Sequence, residues 1–255
     1  MRALVTGATG FLGKKLLSRL ERPVVLSRDA AAARARLGSE VPVFAWDPQR
    51  EAAPREAFAD IDVVFHLAGE SVAAGRWTAA RKARIRDSRV IGTRNLTDTI
   101  RQLDCKPKVL VSASAIGYYG DRGDEILDET SPPGRDFLGE VCTAWEREAQ
   151  AAAAAGVRVV CVRLGLVLGN DGGALPRMLT PFRLGLGSPL GSGRQWMSWI
   201  HVDDVIGLLL WAAQRTDLQG AVNATAPQPV TNREFTKALG RALCRPTFLP
   251  AVPAA

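Results

Sequence analysis

Three glycines, Gly7, Gly10 and Gly13, punctuate the run TGATGFLG, directly after the apolar ALV and where a helical pattern opens. In that position they permit a tight turn, a close approach of bare backbone to a pyrophosphate, and close helix–strand packing. Thr9, Phe11 and Leu12 lie in the same turn, where free helix N–H groups face the phosphates. Glycines also end strands by default, so the motif takes its weight from the strand before it and the helix after it. A dinucleotide is the expected ligand. At the end of the next strand-like run, PVVLSR, an NAD enzyme offers a carboxylate to the adenosine ribose, whereas this chain reads Ser27-Arg28 before Asp29. A guanidinium suits the 2′-phosphate of NADP(H) by charge and bidentate geometry, and Ser27 adds a hydroxyl donor. The alternative is a solvated Arg28 with Asp29 on the ribose; the expected cofactor is NADP(H).

A second cation has a stake in that site. Between Thr78 and Leu103 the residues Ile85, Gly92, Leu96, Ile100 and Leu103 recur at spacings of three and four, and Arg89 fills the gap between Ile85 and Gly92. A charge on the inward stripe of a helix is costly unless paired. This helix starts at the C-terminal edge of the fourth strand, so a phosphate or nucleotide oxygen in the cofactor crevice can satisfy Arg89. Arg81, Lys82, Arg84 and Arg86 read as a solvated face. Tyr118 and Tyr119 stand side by side in YYGDRGDEILDE and are candidate acids. Trp196 and Trp199, with Arg194 in a glycine-framed loop, suit either a core or the wall of a ligand pocket. His66, inside VVFHLAG, reads as a buried, hydrogen-bonded strand residue. His201 in WIHVDD reads similarly, with Asp203 or Asp204 capping the helix that follows. Two histidines, and cysteines at 105, 142, 161 and 244 without CxxC spacing, lead to no expected metal.

These side chains need a frame, and the chain supplies a βαβ rhythm: RALVTG, a helix over FLGKKLLSRL, PVVLSR, an Ala/Arg helix, VPVFAW and DVVFHLAG. A long helix from about Thr78 to Leu103 leads to KVLVSAS, and another from about Phe137 to Ala155, ended by Gly156, leads to VRVVCVRLG. The expected fold is α/β, a Rossmann-type doubly wound parallel sheet over residues 1–165, to which 200–226 can return through a strand at Val222–Thr225. Residues 166–255, rich in glycine and proline loops with a short helix near Leu175–Leu184, read as a smaller C-terminal substrate lobe. With 47% hydrophobic and 23% charged residues in 255, the chain can bury a large core, which sets disorder aside. The net charge of +7 gathers largely between Arg76 and Arg101 in one helix, without a basic tail, so nucleic acid is not an expected partner. No apolar run approaches the ~20 residues of a membrane span, and the N-terminus enters a strand at once; a cytoplasmic protein with no membrane partner is expected.

TGATGFLG, HLAGE, VLVSASAIGYYG, VRLGLVLG and the HVDD of GRQWMSWIHVDDV, in this order, resemble an extended short-chain dehydrogenase/reductase. LAGES, GRWTAARKARIRDSRVIGT, GYYG, DFLGEVCTAWEREA and TPFRLGLGSPLGSGRQW are similar to its atypical "epimerase family" branch, the NAD(P)-dependent sugar-nucleotide-epimerase-like proteins. The resemblance covers nearly the whole chain. It implies that Arg28 contacts NADP, that Leu67, Ala68 and Gly69 lie beside the adenosine and pyrophosphate, that Arg89 stands close to the cofactor, and that Val167 touches the nicotinamide through its backbone.

The resemblance also implies what is missing. Ordinary members use a serine and a Tyr-xxx-Lys pair, and here the two positions of that pair fall on Leu138 and Cys142. Ser114 survives in the place of the serine and is expected to polarise a substrate carbonyl, with Tyr118, Glu70 or an ordered water as proton source. Tyr119-Gly120 matches the structural YG of the family. Glu70, Arg76, Trp77 and Trp196 join Ser114 and Tyr118 as candidates for a pocket that takes a small polar substrate. The implied activity is that of an NADP-dependent oxidoreductase or epimerase-like enzyme, monomer or homodimer; the alternative is a redox sensor or scaffold that binds NADP without turnover. Relatives run several tens of residues beyond a segment like FLPAVPAA, so the lobe is expected to be C-terminally incomplete.

Overall fold

β-Branched runs buried on both faces fold as parallel strands once crossover helices cover them. The computed structural model describes residues 1–247 and 249. Its main sheet comprises β1 (Ala3–Thr6), β2 (Val24–Ser27), β3 (Val43–Ala45), β4 (Val63–His66), β5 (Val109–Ala115), β6 (Arg158–Leu164) and β10 (Gly220–Ala224). The strands lie in the order β10-β6-β5-β4-β1-β2-β3, and every pairing is parallel. Period-two alternation splits the core. Val5, Phe65 and Val111 meet Leu16 of α1 (Phe11–Leu17) and Leu209 of α6 (Val202–Gln214) on one face. Leu4, Val64 and Leu110 meet Leu96 and Ile100 of α3 (Ala79–Gln102) on the other. The chain runs outward from β1 to β3 and then crosses back to β4, so the order reverses at β1 and β4, the place where such sheets open a crevice.

The helices follow their sequence signals closely. Thr78 caps α3 by accepting from Arg81 N, and the stripe Ile85, Gly92, Leu96 and Ile100 is buried. α2 (Ala30–Leu37) is capped by Asp29 and α4 (Phe137–Gln150) by Asp136, whose Oδ1 accepts from Gly139 N at 2.8 Å. The poly-alanine expected to extend α4 instead forms a 3-10 turn, because Gly156 closes the chain in the left-handed region (φ 81°) and its N–H bonds Ala153 O. The cap of α6 is His201, not Asp203 or Asp204: its Nδ1 accepts from Asp203 N at 3.3 Å, and both aspartates fall in the first helical turn.

The remaining elements gather beyond the C-terminal edge of β6. β7 (Leu166–Leu168) pairs with β9 (Trp199–His201), and β8 (Trp196–Met197) with β11 (Val230–Thr231). They are accompanied by α5 (Leu175–Arg183) and by α7 (Asn232–Ala242), which a Thr231/Glu234 capping box opens. The segment FLPAVPAA, expected to leave the lobe incomplete, lies outside the described residues apart from Leu249. No described helix is long and apolar enough to cross a membrane.

Candidate functional site

The C-terminal ends of β1, β2 and β4 open onto a cleft of about 400 Å³, which Gly7, Thr9, Gly10, Leu67, Ala68 and Gly69 line at its centre. Gly7 has φ +69°, and a Cβ there would lie 2.7 Å from both C and O of Leu67 and 2.8 Å from Ala68 N, so only glycine lets the ends of β1 and β4 converge. A Cβ on Gly13 would collide with Gly7 O and with Ala8, which is the close helix–strand packing read from the motif. Below this turn a buried relay ties the two strands to α3. Ala68 N donates to Thr6 Oγ1 at 3.2 Å, Thr6 Oγ1 pairs with His66 Nδ1 at 2.8 Å, and His66 Nε2 pairs with Thr93 Oγ1 at 2.9 Å. Burial pulls the His66 pKa down to about 4, so the ring is neutral and structural. Phe11, Leu12 and Val167 do not reach the cleft. The Phe11 ring packs where Gly169, Gly172 and Gly173 leave room for it; Leu12 and Val167 pack on the core.

At the end of the cleft beside β2, Arg28 lines it, exposed and with no protein partner among the described residues. Two side chains here have local partners while lining the cleft: the Ser27 hydroxyl donates to Asp29 O at 3.1 Å, and Asp29 Oδ1 accepts from Ala32 N at 2.8 Å as the cap of α2. Ala32, Ala33, Arg36, Trp46, Pro48, Gln49 and Ser88 also line the cleft and were missed. The i, i+3, i+4, i+7 spacing of Asp29, Ala32, Ala33 and Arg36 was the available signal for the first three of these.

Arg89 is paired differently from expectation. Its Nη1 donates to Glu70 O at 3.0 Å and Ile85 O at 3.1 Å, its guanidinium lies 5.1 Å from the Trp145 ring centroid, and burial lowers its pKa. Backbone carbonyls and an indole satisfy it, and it supports the Gly69–Glu70 segment of the cleft wall from behind, within 3.3 Å of a Cβ built on Gly69. Arg81 is a correction of the opposite kind: it is buried, not solvated, because the chain after Glu70 folds back over it. It donates to Ser71 O, stands 3.6 Å from Glu70 Oε1, and leaves its Nε without a partner among the described residues. Glu70 lines the cleft and its N–H donates to Ser88 Oγ at 3.0 Å. Arg76, Trp77 and Trp196 do not line it. Trp77 stacks edge-on with Phe137 at 5.6 Å, and Trp196 donates to Asp124 Oδ1 at 2.7 Å.

Beside the cleft, three neighbouring strands put Ser114, Arg163 and Asn223 in register. Ser114 is buried and its hydroxyl donates to Glu146 Oε1 at 2.6 Å, which turns it towards α4. Glu146 also receives Arg163 Nε and Nη2, each at 2.9 Å. Arg163 Nη1 donates to Tyr119 Oη at 2.9 Å, which donates in turn to Asn223 Oδ1 at 2.7 Å. Burial opposes the charge of Arg163, but Glu146 and Tyr119 hold its pKa above the ordinary value; burial raises that of Tyr119. Tyr118 lies face-on over the Arg163 guanidinium at 3.5 Å, with its own hydroxyl unpartnered among the described residues. The positions where the resemblance sets the Tyr and Lys are filled apolarly: Leu138 packs 3.2 Å from a Cβ built on Gly117, and burial pushes the Cys142 thiol up to about 11. Glu146, Arg163 and Asn223 were not candidates from sequence. No three His, Cys, Asp or Glu side chains cluster as a metal requires among the described residues.

A model of the NAD dependent epimerase/dehydratase family matches residues 3–224. Epimerase family protein Mb2239 of Mycobacterium bovis is 40% identical over 250 residues, spanning 97% of this chain and 81% of that protein. The chloroplastic epimerase family protein SDR39U1 homolog of Arabidopsis thaliana is 39% identical over 255 residues, spanning 98% and 73%. The crystal structure of human epimerase family protein SDR39U1 (isoform 2) with NADPH aligns with a TM-score of 0.86 at 35% identity, covering 98% of this chain and 83% of that one.

Proposed function

The chain belongs to the NAD dependent epimerase/dehydratase family, and on that premise we propose that it is an NADP(H)-dependent oxidoreductase or epimerase-like enzyme acting on a small polar molecule. The observation that carries the cofactor choice is the adenosine end of the cleft, where the Arg28 guanidinium has no partner among the described residues while the Asp29 carboxylate caps α2. The human relative, solved with NADPH, supports the same choice. A diphosphate fits the turn at Gly7, where missing side chains leave the Leu67–Ala68 backbone open to it. When bound, the nicotinamide supplies or accepts a hydride. Arg28 holds the 2′-phosphate, the Gly7–Gly10 turn and Leu67–Gly69 orient the dinucleotide, and Arg89 fixes Gly69 and Glu70 from behind.

For the chemical step we assign Tyr118 to the substrate, since its hydroxyl has no partner among the described residues and its ring is held by Arg163. Ser114 meets a carbonyl only by exchanging its bond to Glu146. That bond, with Leu138 and Cys142 on α4, favours a second reading in which the protein binds NADP(H) as a sensor or scaffold without turnover. We read residues 1–165 with 200–226 as the dinucleotide domain and the rest of 166–255 as the substrate lobe, in a cytoplasmic monomer or homodimer; four free cysteines suit a reducing compartment. Calorimetry with NADPH and NADH, followed by NADPH consumption over a panel of carbonyl compounds and sugar nucleotides, tests both readings. Equal affinities for the two cofactors overturn the choice of NADP(H), and binding without consumption of NADPH by any compound favours the sensor.

A further inference from the structure

We propose that Arg36 is a second determinant of the 2′-phosphate, working with Arg28 across the mouth of the cleft. The inference rests on the reading that this cleft takes NADP(H). Asp29, Ala32, Ala33 and Arg36 occupy one face of α2, and all four line the cleft. Seven residues along a helix come to nearly the same angle, so Arg36 stands two turns below the cap and directly in line with it. The two alanines between offer nothing longer than a Cβ, which leaves the arginine stem free to lie along them. Side chains on a helix lean towards its N-terminus, and here that direction leads to Arg28 and the open end of β2.

Charge and hydrogen bonding support the same assignment. Arg34, two residues earlier on α2, is committed: its Nη2 donates to Val43 O at 2.6 Å, and it does not line the cleft. Arg36 has no hydrogen bond or ion pair among the described residues and is exposed. Among the described residues that line this end of the cleft, Asp29 supplies the carboxylate, and its Oδ1 already accepts the Ala32 N–H. Two guanidinium groups without a partner among the described residues, lining the same cleft as a carboxylate that already caps α2, suit a phosphate dianion, whereas a ribose 2′-hydroxyl gains little from them. Arg36 also borders a groove of about 810 Å³ at the opposite end of β2, lined by Lys14, Glu21 and Glu40 among others, so its side chain has a competing direction.

Calorimetry separates these possibilities, with NADPH, NADH, 2′,5′-ADP and ADP titrated into the wild type, Arg28→Ala, Arg36→Ala and Arg36→Lys. Arg36→Ala should weaken NADPH and 2′,5′-ADP by about ten-fold, the size of one charge-assisted contact at an exposed site, and leave NADH and ADP within about two-fold. Arg36→Lys should recover part of the loss. If the wild type prefers NADPH and Arg36→Ala binds it equally well, Arg36 serves the groove and the inference fails while Arg28 stands. Equal weakening of all four ligands would mark damage to α2 and defeat the inference as well. Equal NADPH and NADH affinity in the wild type would instead overturn the reading beneath it.

Discussion

Replacing Glu146 by alanine should be among the most damaging single changes in this protein, and the cause is electrostatic rather than a lost volume. The Arg163 side chain is only 4% exposed, and two of its nitrogens end on Glu146 at 2.9 Å. The substitution leaves that cation buried with only neutral partners, Tyr119 Oη and Glu129 O, and takes away the acceptor of the Ser114 hydroxyl. Breaking a buried pair by removing one member costs about 3–5 kcal/mol. For a chain of this size each kcal/mol moves Tm by about 2–4 °C, so calorimetric unfolding should shift down by roughly 6–20 °C. Glu125→Ala, which breaks the exposed pair with Arg122, serves as control and should cost less than about 1 kcal/mol. Replacing both partners, Glu146→Leu with Arg163→Met, should recover much of the loss, because no uncompensated charge then remains. A Glu146→Ala protein that melts within about 2 °C of wild type would refute the view that this network carries buried charge.

Tyr119→Phe should cost about 1–3 kcal/mol in urea unfolding, since Asn223 Oδ1 and Arg163 Nη1 lose their shared partner. Tyr118→Phe should be nearly neutral in the same assay while reducing turnover once a substrate is known; equal stability losses for the two would contradict their assignment. Gly7→Ala should destabilise by about 1–3 kcal/mol for its left-handed backbone alone, and should abolish detectable dinucleotide binding by pushing Leu67 and Ala68 away from the turn. Stability should also fall with acid before most carboxylates titrate. His66 is held neutral down to about pH 4 when folded but takes a proton near its ordinary 6.5 when unfolded, so its contribution is complete above pH 6.5 and is lost between there and pH 4. About 2 kcal/mol of that loss should be visible between pH 7 and pH 5, and a flat urea profile over that range would mean the ring is not held neutral.

Local pattern sufficed for the frame. Strand and helix periods, three glycines at fixed spacing and capping residues such as Thr78 and Asp136 act over a few residues, so the α/β order and the cleft at the end of β1 were legible in the chain. The stripe on α3 likewise showed that Arg89 points inward. What satisfies it was not legible, because its partners Glu70 O and Trp145 come from a loop and from a different helix. Arg81 was misread for the same reason: a charged run looks solvated until a remote segment, here Ser71, folds over it.

The network beside the cleft shows the limit most clearly. Ser114 and Tyr119 lie in one motif, but Glu146, Arg163 and Asn223 lie far from it along the chain, and Tyr119 and Asn223 are separated by 104 residues. They meet because β5, β6 and β10 become neighbours with Ser114, Arg163 and Asn223 in register, and because α4 turns Glu146 onto them. The sequence by itself determined which residues can form strands and helices, since those preferences are paid out locally. Tertiary structure alone decided which buried charge finds which counter-ion, since desolvation makes every such partner obligatory and only the strand order says who stands within reach.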